Sequence, residues 1–191
     1  MRAYEFLHEI DYCSSMVDQV NFDIDKSVKV GNFEGHDVFV VEQQGLIFIY
    51  FNSNDEIAAY IVISADVSSN GRYQLHRLRN RGNIPGAVTM LIKYTVDHGR
   101  PLFIDKTEEL SPDSMRWLDS LLKSGGRGLS VTTQDGNIPD IKMLDDEWNK
   151  ARLTGEHGPT SIFIEGKGKK LKENKGLLMP LCQYLGDKEL V

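Results

Sequence analysis

The chain is 191 residues long, with 40% hydrophobic and 26% charged residues, which suffices for one domain with a real core and is unlike a disordered chain. A formal charge of −6 and a pI near 5.4 argue against a broad nucleic-acid-binding face, no apolar run approaches the roughly 20 residues of a membrane span, and "MRAYEFLHEI" lacks the apolar core of a secretion signal. Cys13 and Cys182 lie near opposite ends at no metal or redox spacing, so unpaired thiols and a cytoplasmic location are expected.

"MVDQVNF" (16 to 22) reads as part of an early helix, and "DIDKSVKVGNFEG" after it as a polar connection. Three runs rich in β-branched and aromatic residues follow: "DVFVVEQ" (37 to 43), "LIFIYFN" (46 to 52) and "IAAYIVISADV" (57 to 67). The short turn-like pieces "QG" and "SNDE" between them predict an antiparallel meander. A fourth strand, "YQLHRLRN" (73 to 80), leads into "RGNIPGA". After Gly86 the period changes: Val88, Leu91, Ile92, Thr95 and Val96 fall on one side of a helix ending near Gly99. "PLFID" then reads as a buried strand. The next helix has Ser111 as N-cap, Pro112 at its first position, Asp113 in its first turn and Gly125 at its stop. Met115, Leu118, Leu121 and Leu122 form its apolar face. Strands are expected at "GLSVTT" (128 to 133) and "SIFIE" (161 to 165), with a helix-compatible acidic segment, "DIKMLDDEWNKARL", between them. The fold class is α/β or α+β, with a central mixed sheet, part antiparallel and part parallel, and helices on both faces. Residues 1–165 are read as one domain and 166–191 as a basic, then apolar, extension.

This order, a meander followed by strand, turn, helix, strand and helix, resembles the GNAT N-acetyltransferase superfamily over roughly residues 35 to 165. That family holds the pyrophosphate of coenzyme A in a turn of pattern Gln/Arg-x-x-Gly-x-Gly/Ala. The corresponding residues are Arg81, Gly82, Asn83, Ile84, Pro85 and Gly86, with Ala87 opening the helix, and Leu78 and Arg79 leading in. The resemblance implies acetyl-CoA as cofactor and a small-molecule or protein amine as acceptor. Short chains of this type are common among tailed phages, although no residue quoted establishes such a source. The turn has a physical rationale: a helix N-terminus offers unpaired N–H groups and partial positive charge, glycine lets phosphate approach the backbone, and Arg81 adds a charged donor. Ile84 stands where the family has its middle glycine, so its side chain is expected to restrict that approach, and Pro85 lacks an N–H.

The family's chemistry needs a base for the amine, an oxyanion donor and an acid for the leaving thiolate. Many members use a tyrosine near the end of the second helix as the acid; "WLDSLLKSGG" has none, leaving Ser120 as the hydroxyl there. His76, on the strand before the turn, is the candidate base, against the bland reading of a histidine packed in a sheet. Asp105, at the end of "PLFID", is placed to contact the amine, or else caps a turn.

Other patterns carry less. Asp23, Asp25, Ser27 and Glu34 match calcium-loop spacing, but Val28 occupies the position that requires glycine. His8, His36, His76, His98 and His157 do not cluster as metal ligands, and no serine or cysteine has a nucleophilic partner nearby. "GKGKKLKENKG" (166 to 176) reads as a solvated basic tail, with contact to an acidic partner as the alternative. "LLMPLCQYL" beyond it is apolar enough to dock on the domain or on a second subunit. Two functions remain: an N-acetyltransferase, or a non-catalytic binding or assembly module of the same fold.

Overall fold

Alternating apolar residues give the central strands their faces, and a two-residue turn sets their register. The computed structural model describes residues 22–33, 35–53, 56–81, 84–106, 112–154 and 160–167. In it β2 (His36–Gln43), β3 (Leu46–Ser53), β4 (Glu56–Ser64) and β5 (Tyr73–Asn80) form the expected meander. Gln44 and Gly45 join β2 to β3 with φ of 52° and 76°, the positive pair that a tight hairpin requires. An additional strand, β1 (Val28–Phe33), pairs antiparallel with β2. This corrects the reading of residues 23–35 as a connection: the strand is at the sheet's edge and is bulged between Lys29 and Gly31, which hides its alternation. The early helix expected at 16 to 22 lies, except for Phe22, outside the described residues, as do Cys13, Cys182 and the extension beyond Lys167.

After β5 come α1 (Ala87–Asp97), β6 (Leu102–Ile104), α2 (Pro112–Lys123), β7 (Leu129–Thr133), α3 (Ile141–Thr154) and β8 (Ile162–Gly166). Pro112 opens α2 as expected, while Ser111 is outside the described residues. The eight strands form one sheet in the order β1-β2-β3-β4-β5-β6-β8-β7. It is more antiparallel than expected, because β5 with β6 is the one parallel pair among the described strands. No described helix is long and apolar enough to cross a membrane.

Two cores follow from the alternation. The first joins Ile47, Ile49, Ile61, Ile63, Leu75, Leu102 and Ile164 to Leu91 and Ile92 of α1, Met115, Leu118 and Leu121 of α2 and Leu144 of α3. The second, on the opposite face of the meander, contains Phe22, Val41, Phe48, Tyr50, Tyr60 and Val62, and no residue of a described helix belongs to it. Each fully buried Ile or Leu contributes about 1.5–3 kcal/mol relative to exposure. Tyr94 ties α1 to the edge strand: its hydroxyl donates to the Val30 carbonyl at 3.4 Å, and a Cβ added at Gly31 would lie 3.2 Å from that hydroxyl. We expect Gly31→Val to cost about 1–3 kcal/mol through overpacking. Urea denaturation of the variant checks this, and an unchanged midpoint would show that β1 shifts without cost.

Candidate functional site

The parallel ladder between β5 and β6 has two rungs, Tyr73 with Leu102 and Gln74 with Phe103, and then stops. β5 runs on to Asn80, whereas β6 ends at Ile104 and is paired along its whole length with β8 on its other edge. The two strands thus share a short base, beyond which β5 has no rung to β6. His76 stands two residues past the last rung. On the side toward β4 it is also the extra residue of a bulge, since Leu75 pairs with Ile63 and Arg77 with Val62. Continuing the β5–β6 register places Asp105 level with His76 across the divergence. Only that extended count places the two residues level, with no rung between them. His76 is buried, Asp105 is half-buried, and both take part in interactions within the molecule. Ser120 is exposed on α2, and no described contact joins it to either.

The turn between β5 and α1 is built by a residue that sequence reasoning passed over. The Asn80 carboxamide donates to the Ile84 carbonyl at 2.7 Å and accepts from the Ile84 N–H at 3.2 Å. Ile84 packs its side chain against the first core, so its β-branch is turned inward instead of restricting approach as expected. Its N–H, however, is already committed to Asn80. Pro85 is exposed, Gly86 takes φ +79° and ψ 0° as N-cap, and no side chain caps the helix. Only glycine holds that conformation without strain. Ala87 N–H bonds the Ile84 carbonyl at 3.2 Å, and the helix ladder begins with Met90 N–H on the Gly86 carbonyl at 2.9 Å. Gly82 and Asn83 lie outside the described residues. The Thr89 hydroxyl in the first turn accepts from Trp117 Nε1 at 3.1 Å, fixing α2 against this end of α1.

A second group of residues reaches the same place. Gly125, Gly126, Arg127 and Gly128, between α2 and β7, all have positive φ, and Arg127 is the one non-glycine in this left-handed run. A Cβ built on Gly86 would lie 3.0 Å from Arg127 Nη1, so the guanidinium rests against the N-terminus of α1. Lys167 donates to the Gly125 carbonyl at 2.5 Å and binds the Gly128 carbonyl through its backbone at 2.9 Å. Lys93, ion-paired with Asp97, passes beside Gly128. A cation at the positive end of a helix dipole is electrostatically uphill. An anion held between them removes the conflict.

Leu78 and Arg79 are divided by strand alternation. Leu78 pairs with Ile61 and packs on the first core, the face of α1, whereas Arg79 pairs with Tyr60 on the opposite face. Among the described residues no three His, Cys, Asp or Glu side chains group to hold a metal ion.

Among solved structures, the chain is similar to one from Bacteroides thetaiotaomicron assigned to the GNAT family of acetyltransferases. Identity is 11%, the alignment covers 74% of this chain and 73% of that one, and the TM-score is 0.35. No protein-family model matches the chain, and no curated protein matches it.

Proposed function

We propose that the protein is an acyl-coenzyme-A-dependent N-acetyltransferase. The observation that carries this reading is the pairing of an uncapped, glycine-started helix N-terminus with Arg127, at the end of a strand whose parallel ladder stops after two rungs. Positive dipole and guanidinium fit a pyrophosphate. The edge of β5 beyond Gln74 offers backbone groups to an extended, amide-bearing arm such as pantetheine. Bound acetyl-coenzyme A would supply a thioester carbonyl, so that attack by the amine nitrogen forms a C–N bond, breaks the C–S bond and passes a proton from the amine to the departing thiolate.

In this reading Gly86, Arg81 and Arg127 hold the phosphates at the start of α1, where the Ala87 N–H is already on the Ile84 carbonyl. The bulge at His76 takes a strand residue out of the regular ladder with β4, and the backbone N–H of that residue is the donor assigned to the developing oxyanion. His76 is the base that accepts the amine's proton, and Asp105, level with it, orients the ammonium before transfer. A non-catalytic binding module is the second reading, favoured by one observation: α2 has no tyrosine, and its Ser120 is exposed.

Calorimetric titration with acetyl-coenzyme A, followed by assay on a panel of primary amines, separates the readings. Micromolar binding with turnover supports the transferase, binding without turnover on any amine supports the module, and no binding at millimolar concentration overturns both assignments of the turn. Arg127→Ala should weaken acetyl-coenzyme A binding roughly ten- to a hundredfold, the scale of one hydrogen bond to a charged group. Unchanged affinity would remove Arg127 from the site.

A further inference from the structure

Arg77 and Arg79 near the end of β5, and Arg81 just beyond it, occupy alternate positions. Alternation puts such residues on one face, about 7 Å apart. The register fixes which face: Arg77 pairs with Val62 and Arg79 with Tyr60, both members of the second core. Arg81 continues the ladder through its N–H on the Ala58 carbonyl at 2.7 Å. Three guanidinium groups in a row within a chain of net charge −6 repel one another and concentrate positive potential. Arg77 is buried, while Arg79 and Arg81 are half-buried and reach solvent. All three have interactions inside the molecule, so an incoming anion would join a populated cluster.

Tyr60 is the second observation. It is 2% exposed, and its hydroxyl oxygen meets the geometry of no hydrogen bond, the Arg77 guanidinium being the one donor near enough to act on it. A buried hydroxyl of this kind is unusual in a native protein and calls for a group to satisfy it. The three arginines are its electrostatic neighbours and oppose the rise that burial imposes on its pKa. The row lies on the face opposite α1 and ends at the turn, beside the strand segment that carries His76. A donor held at the N-terminus of α1 and a ligand on the arginine row would therefore approach the part of β5 beyond its rungs with β6 from opposite faces.

We infer that this face binds the acceptor, and that the acceptor is an amine carrying a carboxylate or phosphate, held by Arg79 beside Tyr60. The inference rests on the transferase reading for its direction but not for its test, and it moves Arg79 from the coenzyme to the acceptor.

The test is equilibrium binding by calorimetry without acetyl-coenzyme A, using matched probes: 2-aminoethyl phosphate against ethanolamine, and β-alanine against β-alaninamide. Each anionic probe, or one of the two classes, should bind at least about tenfold more tightly than its neutral partner, and the pair that discriminates identifies phosphate or carboxylate. Arg79→Gln should erase most of that preference while leaving acetyl-coenzyme A affinity unchanged. Tyr60→Phe, which removes only the hydroxyl, should reduce anion affinity severalfold and keeps the test open if the arginine variant fails to fold. Equal binding within both pairs, or a preference that survives both substitutions, overturns the inference. Because coenzyme is absent, that failure is distinct from loss of acetyl-coenzyme A binding.

Discussion

Gly86→Asp is expected to abolish acetyl-coenzyme A binding while leaving the protein folded. Residue 86 takes φ +79°, and a Cβ there would stand 3.0 Å from Arg127 Nη1. The clash is with the far end of a flexible side chain, so it is relieved by rotation. The left-handed backbone strains any residue with a Cβ by about 1–2 kcal/mol, a cost partly offset because a carboxylate at a helix N-cap is favourable. The same carboxylate would bring negative charge to Arg127 and the helix dipole, the place assigned to pyrophosphate. Calorimetry should show no heat of binding in the variant beside a thermal unfolding transition within several degrees of the parent. Parental affinity in a folded variant would end the assignment of this turn to phosphate.

His76→Ala is expected to lower turnover by roughly 10²-fold or more, the usual contribution of a positioned acid or base, without changing acetyl-coenzyme A affinity. The histidine is 8% exposed, so truncation also leaves a void. His76→Gln keeps most of the volume and should be equally slow if proton transfer is the function lost. Restoration of activity in the glutamine variant would assign His76 to packing. Full activity in both variants would remove it from the mechanism. Asp105, at the matching level on the other limb, provides the comparison: Asp105→Asn should raise KM for the acceptor more than it lowers kcat.

The meander was legible because β2, β3 and β4 are long, β-branched and joined by a turn whose residues accept positive φ. α1 was legible because its buried residues repeat at three and four. Less visible was β1, where Gly31 and Asn32 interrupt an edge strand that the bulge also bends. The turn illustrates a different limit. Its pattern could be read from Arg81 to Ala87, but the direction of Ile84 depends on Asn80, whose side chain clamps the loop from inside the preceding strand. Arg127 was missed for a stronger reason: only tertiary packing brings a residue of the α2–β7 connection to Gly86. Glycines around an arginine in "SGGRG" gave a local signal, but it was read only as the end of a helix. The division of Leu78 from Arg79 was available in principle, since strand alternation alone separates neighbours onto opposite faces.

The two-rung ladder between β5 and β6 also has a mechanical meaning. Among the described strands it is the one place where β1 to β5 join β6, β8 and β7 within the sheet, so the sheet reads as two rafts sharing a narrow neck. α1 spans that neck, packing against β4 and β5 on one raft and β8 on the other. An extended chain laid along the unpaired edge of β5 would act as a splint, lengthening the neck and coupling the rafts. Donor occupancy and stiffness would then rise together, and the rigid frame needed for acyl transfer would be completed by the donor itself.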